Sequence, residues 1–235
     1  MKKNILSGWL IAMLLVFNYH ASAQDINKSP VREDKEWLDI WLPHSNENNL
    51  PRVLLIGNSI TRAYSPEVEQ LLNGKAYIAR LATSKSIGDP DLLPEIEMIM
   101  KYHHFDVVHF NNGLHGVGYT EKEYAEAFPA FFYTIKKNAP NAVLIWASTT
   151  PIREGKNMEA FSARVPRIKE RNRIAADFLK DKNLITNDLF NFLIDKPIYF
   201  VGGDGVHLAK IGTTALAQKV ATVIEESLTK INKQN

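Results

Sequence analysis

From Arg52 onward, short runs of consecutive apolar residues alternate with longer stretches in which apolar residues return every three or four positions. The short runs predict strands at 52–56, 76–80, 106–111, 142–147 and 184–186. The longer stretches predict helices at about 65–73, 90–102, 121–138, 157–181 and 209–231. Val53-Leu54-Leu55-Ile56 and Val143-Leu144-Ile145-Trp146 are apolar at every position, the pattern of strands covered on both faces. Several helix starts carry their own signals. Ser65-Pro66-Glu67 reads as an N-cap with proline at the first helical position, Asp89-Pro90 repeats the device, and Thr120 with Glu123 forms a capping box. The regular alternation predicts a three-layer α/β/α sandwich around a parallel five-stranded sheet.

The residues before Arg52 read differently. Lys2 and Lys3 precede a largely apolar run from Ile5 to Phe17, and Ala21-Ser22-Ala23 has the small-x-small pattern of signal-peptidase sites. A signal peptide over residues 1–23 is expected, with cleavage before Gln24 and export to the periplasm or beyond. The alternative is an uncleaved anchor, but the apolar run is shorter than the roughly 20 residues that a bilayer span needs. No later segment has that length or apolarity, so no stable membrane insertion is expected. Residues 24–50 form a lead-in: 25–35 are polar, and Trp37, Ile40, Trp41 and Leu42 make an apolar patch that packs on the domain of residues 51–235. A substrate-platform role for its tryptophans stays open.

Composition narrows the chemistry. With no cysteine there is no lipoprotein anchor, disulfide or thiolate metal site. The formal charge of +2 equals the contribution of Lys2 and Lys3, so the mature chain is near neutral and carries no basic footprint for nucleic acid. The basic cluster from Arg164 to Arg173 sits at helical spacing and reads as a solvated helix face.

In an open α/β sheet, ligands bind beyond the carboxyl ends of the strands. Ser59 follows the first strand, Gly88 lies after the second, Asn111 to Gly116 after the third, and Thr149-Thr150-Pro151 after the fourth. A serine nucleophile needs a base within hydrogen-bond reach and a group that orients the base. Gly57-Asn58-Ser59 supplies a turn that exposes a serine, with Thr61 or Ser65 available to cap the helix that follows. The competing readings are an ordinary strand-to-helix turn and a phosphate cradle. The cradle is disfavoured, because both the Gly-Lys-Ser/Thr ending and the three-glycine pattern are missing. Of the seven histidines, His115 and His207 fall in loops at this edge, whereas His109 lies inside a strand. Asp204, three residues before His207 in a glycine-rich turn, is placed to bond Nδ1–H and leave Nε2 for the serine proton. The bland alternative is an Asp-Gly turn ahead of a helix.

Over residues 50–230 the chain resembles the SGNH hydrolases, also called the GDSL esterase/lipase family. Gly57-Asn58-Ser59-Ile60-Thr61 is similar to the family's first block, with asparagine in place of the usual aspartate. Ser86-Ile87-Gly88-Asp89 is similar to the second and Asp204-Gly205-Val206-His207 to the last, while Arg171-Asn172-Arg173 fits the region before the fifth strand. The third block departs: Gly113-Leu114-His115-Gly116 has histidine where the family places an oxyanion-binding asparagine. The resemblance implies a flavodoxin-like fold and a catalytic set of Ser59, Asp204 and His207. It also implies an oxyanion hole of the Ser59 and Gly88 N–H groups plus one side chain. His115 is the first choice for that side chain, Asn111 the second, and Asn112 a further option.

An exported ester hydrolase follows, needing no metal or cofactor. Its expected substrate is a small molecule or polysaccharide carrying acetyl or other short acyl groups, since no long apolar lid segment is present. Tyr64, Tyr119 and Arg153, with Trp146, are candidate substrate contacts, and core packing is the competing reading for them. Two alternatives remain: a lipid or lysophospholipid esterase, and a ligand-binding module that has lost turnover. Oligomeric state is not legible.

Overall fold

The computed structural model describes residues 29–101 and 103–232. The expected signal peptide and its cleavage site lie outside the described residues. Five strands form the parallel part of the sheet: β2 (Arg52–Gly57), β3 (Tyr77–Thr83), β4 (Val107–Phe110), β5 (Val143–Ala147) and β8 (Ile185–Asn187). With β1 (Leu38–Trp41) the sheet order is β1-β3-β2-β4-β5-β8, so a sixth strand joins the five that were expected. That strand comes from the lead-in and runs antiparallel to β3, with Leu38 opposite Thr83 and Trp41 opposite Arg80. The apolar patch of the lead-in is therefore an edge strand.

Alternation along β2 divides the core in two. Val53 and Leu55 face Tyr64 and Val68 of α1 (Ser59–Leu71) together with Leu216, Val220 and Ile224 of α6 (Lys210–Asn232). Leu54 and Ile56 face the other layer, with Ile96 of α2 (Leu92–Lys101), Phe128 and Phe131 of α3 (Glu121–Asn138), and Leu179 of α4 (Val165–Leu179). Helices thus cover both faces of the sheet. Strand order reverses about β2, with β3 on one side and β4 on the other, which opens a crevice at the carboxyl ends of β2 and β4. Among the described residues no helix is long and apolar enough to cross a membrane.

Three local expectations need correction. The first helix starts at Ser59, not near Ser65, because the Asn58 side chain accepts the Ile60 N–H at 2.9 Å and caps it there. Pro66 then falls inside the helix. Its missing N–H leaves the Arg62 carbonyl open, and the Ser65 hydroxyl donates to that carbonyl at 3.3 Å. The stretch 157–181 is not one helix. Residues 153–161 form a hairpin, β6 (Arg153–Glu154) and β7 (Asn157–Phe161), and α4 begins only where Pro166 stands in its first turn. A short helix, α5 (Leu189–Ile194), and a 3₁₀ turn at Pro197–Tyr199 complete the connection to α6. The capping box at Thr120 and Glu123 forms as the sequence indicates.

Candidate active site

Ser59 is the first residue of α1, carried out of β2 by a tight turn. A Cβ on Gly57 would lie 2.0 Å from Thr61 Oγ1, so only glycine lets the chain fold back this closely. His207 Nε2 stands 3.0 Å from Ser59 Oγ, and His207 Nδ1 stands 2.6 Å from Asp204 Oδ2. The second oxygen of Asp204 accepts the backbone N–H groups of Val206 at 2.8 Å and His207 at 3.0 Å. Partial burial pushes the Asp204 carboxyl up, but the bonds from the His207 side chain and from both N–H groups outweigh this and hold it below the ordinary carboxylate value. Side chains 148 positions apart thus form one hydrogen-bonded line, with a carboxylate at one end and a hydroxyl at the other.

The two neighbouring loops are held by asparagines. Asn111 Nδ2 donates to the Ala147 carbonyl at 2.7 Å and to Thr149 Oγ1 at 3.1 Å, which uses both of its amide hydrogens. Asn112 accepts from Ile87 N and donates to the Lys85 carbonyl, clamping the loop that carries Gly88. Asn111 has no amide hydrogen left over, and both asparagines fasten loops in this arrangement. His115 is different: its Nδ1 faces Glu33 Oε1 at 3.2 Å, and the residue lines a common pocket with Gly88, Gly116 and Tyr119.

The candidate substrate contacts are mostly core. Tyr64 is 2 % exposed, shares a hydrogen bond with Thr61 Oγ1, and has its phenol pushed up by burial. Trp146 is buried against the second core layer. Arg153 is 3 % exposed, with its guanidinium on the carbonyls of Glu159 and Ile194. Tyr119 is also buried. Its hydroxyl accepts the Val31 N–H at 2.9 Å, and its ring lies about 3.0 Å from where a Cβ on Gly88 would stand. Burial at α1, β5, the hairpin and the 113–119 loop takes these side chains away from solvent.

Two groups of residues escaped the sequence reading. The first is a set of arginines on α4 and its N-cap. Arg164 donates to the Leu114 carbonyl, Arg167 to those of Val117 and Tyr119, and Arg171 to those of Gly113, His115, Gly116 and Tyr119. Glu121 adds a carboxylate beside Arg167 and Arg171. This face is not solvated. Lys169 and Arg173 do meet that expectation: both are exposed, and Arg173 pairs with Glu170 and Asp177 at the surface. The signal was present in the spacing: Arg164, Arg167 and Arg171 share a stripe with Val165, Ile168 and Ala175, which are buried. Hydrogen bonds from charged donors to buried carbonyls contribute about 1.5–3 kcal/mol each, against about 0–1 kcal/mol for a surface ion pair. Arg171 therefore organises the loop and Arg173 does not.

The second group is the lead-in itself, which lies as a strap across the carboxyl edge. Arg32 bonds Asp89 at 2.8 Å and Asp91 at 2.5 Å, the Asp89 side chain being 1 % exposed. Glu36 accepts from Ser84 Oγ at 2.7 Å. The Arg62 guanidinium stacks 4.5 Å over the Trp37 ring, tying the strap to the first turn of α1. Through Glu33 the same strap reaches His115.

No protein-family model matches the chain, and no curated protein matches it. Solved structures do. A carbohydrate esterase family 3 structure from Talaromyces cellulolyticus superposes with a TM-score of 0.64 at 13% identity, covering 77% of this chain and 99% of that one. A GDSL-like lipase from Bacteroides thetaiotaomicron gives 0.59 at 15% identity, covering 77% and 88%. An acetyl xylan esterase gives 0.57 at 21% identity, covering 74% and 99%. The chain has the fold of the SGNH hydrolases, the α/β/α sandwich these esterase and lipase structures share.

Proposed function

We infer that this chain is an exported carboxylic ester hydrolase of the SGNH type, acting through an acyl-enzyme on Ser59. The observation that carries the reading is the unbroken line Ser59 Oγ–His207 Nε2 at 3.0 Å and His207 Nδ1–Asp204 at 2.6 Å. In the reaction, His207 Nε2 takes the Ser59 proton as Oγ bonds to the ester carbonyl carbon. Asp204 holds the Nδ1 proton and stabilises the imidazolium that forms. The tetrahedral intermediate collapses as His207 protonates the leaving alcohol. Water, activated by the same imidazole, then attacks the acyl-enzyme and releases the acid and Ser59.

The oxyanion needs donors fixed in advance. The backbone N–H of Ser59 at the start of α1 and that of Gly88 fill two places in this reading. With Asn111 and Asn112 engaged elsewhere, His115 supplies the third. Glu33 occupies its Nδ1, which leaves Nε2 as the ring's remaining hydrogen-bonding atom.

The substrate class we favour is a carbohydrate bearing acetyl or other short acyl groups. Its support is the exposed catalytic turn, with His207 and Asp204 both about half exposed, since a polymer chain reaches such a turn without passing a lid. Carbohydrate and acetyl xylan esterases among the solved structures of like fold point the same way. Acetylated xylo-oligosaccharide assayed beside p-nitrophenyl octanoate tests the assignment. Faster deacetylation of the sugar is expected, and preference for octanoate assigns the site to lipids instead. Export rests on the sequence of residues 1–23 and is tested by N-terminal sequencing of the protein from the culture medium or periplasm, which should begin at Gln24.

A further inference from the structure

The turn that carries Asp204 and His207 has little core of its own. It holds Gly202, Gly203 and Gly205, two of them at positive φ, and both functional side chains are half exposed. Its geometry must come from the walls on either side. One wall is the hairpin. Arg153 N–H donates to the Gly205 carbonyl at 2.8 Å, and Gly203 N–H donates to the Gly155 carbonyl at 2.8 Å. A Cβ on Gly205 would lie 2.1 Å from the Arg153 carbonyl oxygen, so hairpin and turn touch backbone to backbone. The other wall is the segment after the 3₁₀ turn. Phe200 bridges Leu208, and Val201 N–H donates to the His207 carbonyl at 2.9 Å.

One side chain spans both walls. The Arg153 guanidinium lies 4.3 Å from the Phe161 ring centroid on the hairpin and 5.5 Å from that of Phe200 on the opposite wall. It also donates to the carbonyls of Glu159 in the hairpin and Ile194 at the end of α5. Among the described residues no carboxylate stands within ion-pair distance of it, and its Nε has no partner. Glu159 and Asp195 act on its charge only from beyond ion-pair distance, and a buried cation bonded to carbonyls and rings alone is costly unless its shape is needed. A planar fork that stacks on aromatic rings while reaching two carbonyls is a geometry that lysine cannot copy.

We propose that Arg153 is a positioning residue: it locks the hairpin to the Phe200–Leu208 wall and so fixes His207 and Asp204 against Ser59. The inference rests on the ester-hydrolase reading for its kinetic consequence, but its structural content does not. A displacement of about 1 Å at the reacting groups costs on the order of 10²-fold in rate. Arg153→Lys and Arg153→Met should therefore lower kcat by about 10- to 100-fold, with KM within about threefold. The rate of Ser59 modification by a fluorophosphonate should fall in parallel. The low-field proton resonance of His207 Nδ1–H should shift or broaden in both variants. Circular dichroism at the assay temperature checks that each is folded. If Arg153→Met does not fold, Arg153→Lys and Phe200→Leu carry the test, the latter removing one stacking ring and giving a smaller loss of the same kind. A folded Arg153→Lys with unchanged kcat and an unchanged His207 resonance overturns the proposal. A wild-type protein that neither hydrolyses esters nor takes the fluorophosphonate overturns the hydrolase reading alone, and the resonance then still decides the role of Arg153.

Discussion

Glu33 and His115, 82 positions apart, face each other across 3.2 Å between carboxylate and ring nitrogen. The contact joins the strap to the loop where histidine stands in place of the asparagine of the SGNH third block. If His115 is the third oxyanion donor, His115→Ala should lower kcat by about 10²- to 10³-fold with little change in KM. Glu33→Gln should fall between the wild type and that variant, because the ring keeps its place but loses its charged partner. Steady-state kinetics on a short-chain ester decide this, and an active His115→Ala within twofold of wild type removes His115 from the hole.

Asp204→Asn should fold normally and lose about 10⁴-fold in kcat, since the amide cannot hold His207 in the tautomer that accepts the serine proton. In the wild type the carboxyl is held below the ordinary range, so the orienting charge is present above that range and is lost only as pH falls through the lowered value. Protonation of Asp204 should therefore not limit activity between about pH 5 and 8. A pH–rate profile measured on wild type and variant checks both statements.

Arg171 donates to four carbonyls of the 113–119 loop, and its replacement leaves buried acceptors without donors. Arg171→Met should cost roughly 2–4 kcal/mol of stability. Arg173→Met, which loses only surface pairs, should cost less than about 1 kcal/mol. Urea unfolding of the two variants gives the comparison directly, and equal losses contradict the different roles assigned to the two arginines.

His109 on β4 is fully buried beside Asn187, and burial pushes its pKa down to about 4. The unfolded chain takes up this proton near pH 6.5. Below that value the unfolded state binds more protons, so the stability contributed by neutral His109 is whole above about pH 6.5 and drains away as pH falls toward 4. The loss amounts to about 3 kcal/mol. His109→Gln should remove that part of the acid sensitivity. Urea unfolding at pH 7.5 and 4.5 should show a smaller pH difference in the variant than in wild type.

What the sequence made legible was whatever a local pattern encodes. Consecutive apolar runs located the five parallel strands, and Asp204 stands three residues from His207 in a turn whose glycines announce it. The hairpin at 153–161 is hidden because Asn157–Phe161 continues into the amphipathic pattern of α4, whose true start is marked by Pro166. The burial of Tyr64 is hidden for a related reason. Once Asn58 rather than Ser65 caps the helix, Ile60, Tyr64 and Val68 fall on one buried stripe. The arginines of α4 and the strap residues Arg32, Glu33 and Glu36 bond partners some 50 to 80 positions away, several of them backbone carbonyls. Carbonyl positions follow from tertiary structure, and no residue pattern advertises them.

In the proposed reaction Ser59 is a nucleophile activated by His207. Intact-mass analysis after incubation with a fluorophosphonate tests it most directly, run on wild type, Ser59→Ala and His207→Ala. One adduct is expected on wild type, mapped to the peptide that contains Ser59, with none on Ser59→Ala and a greatly slowed reaction on His207→Ala. A folded wild-type protein that takes no adduct, or equal labelling of wild type and Ser59→Ala, contradicts it.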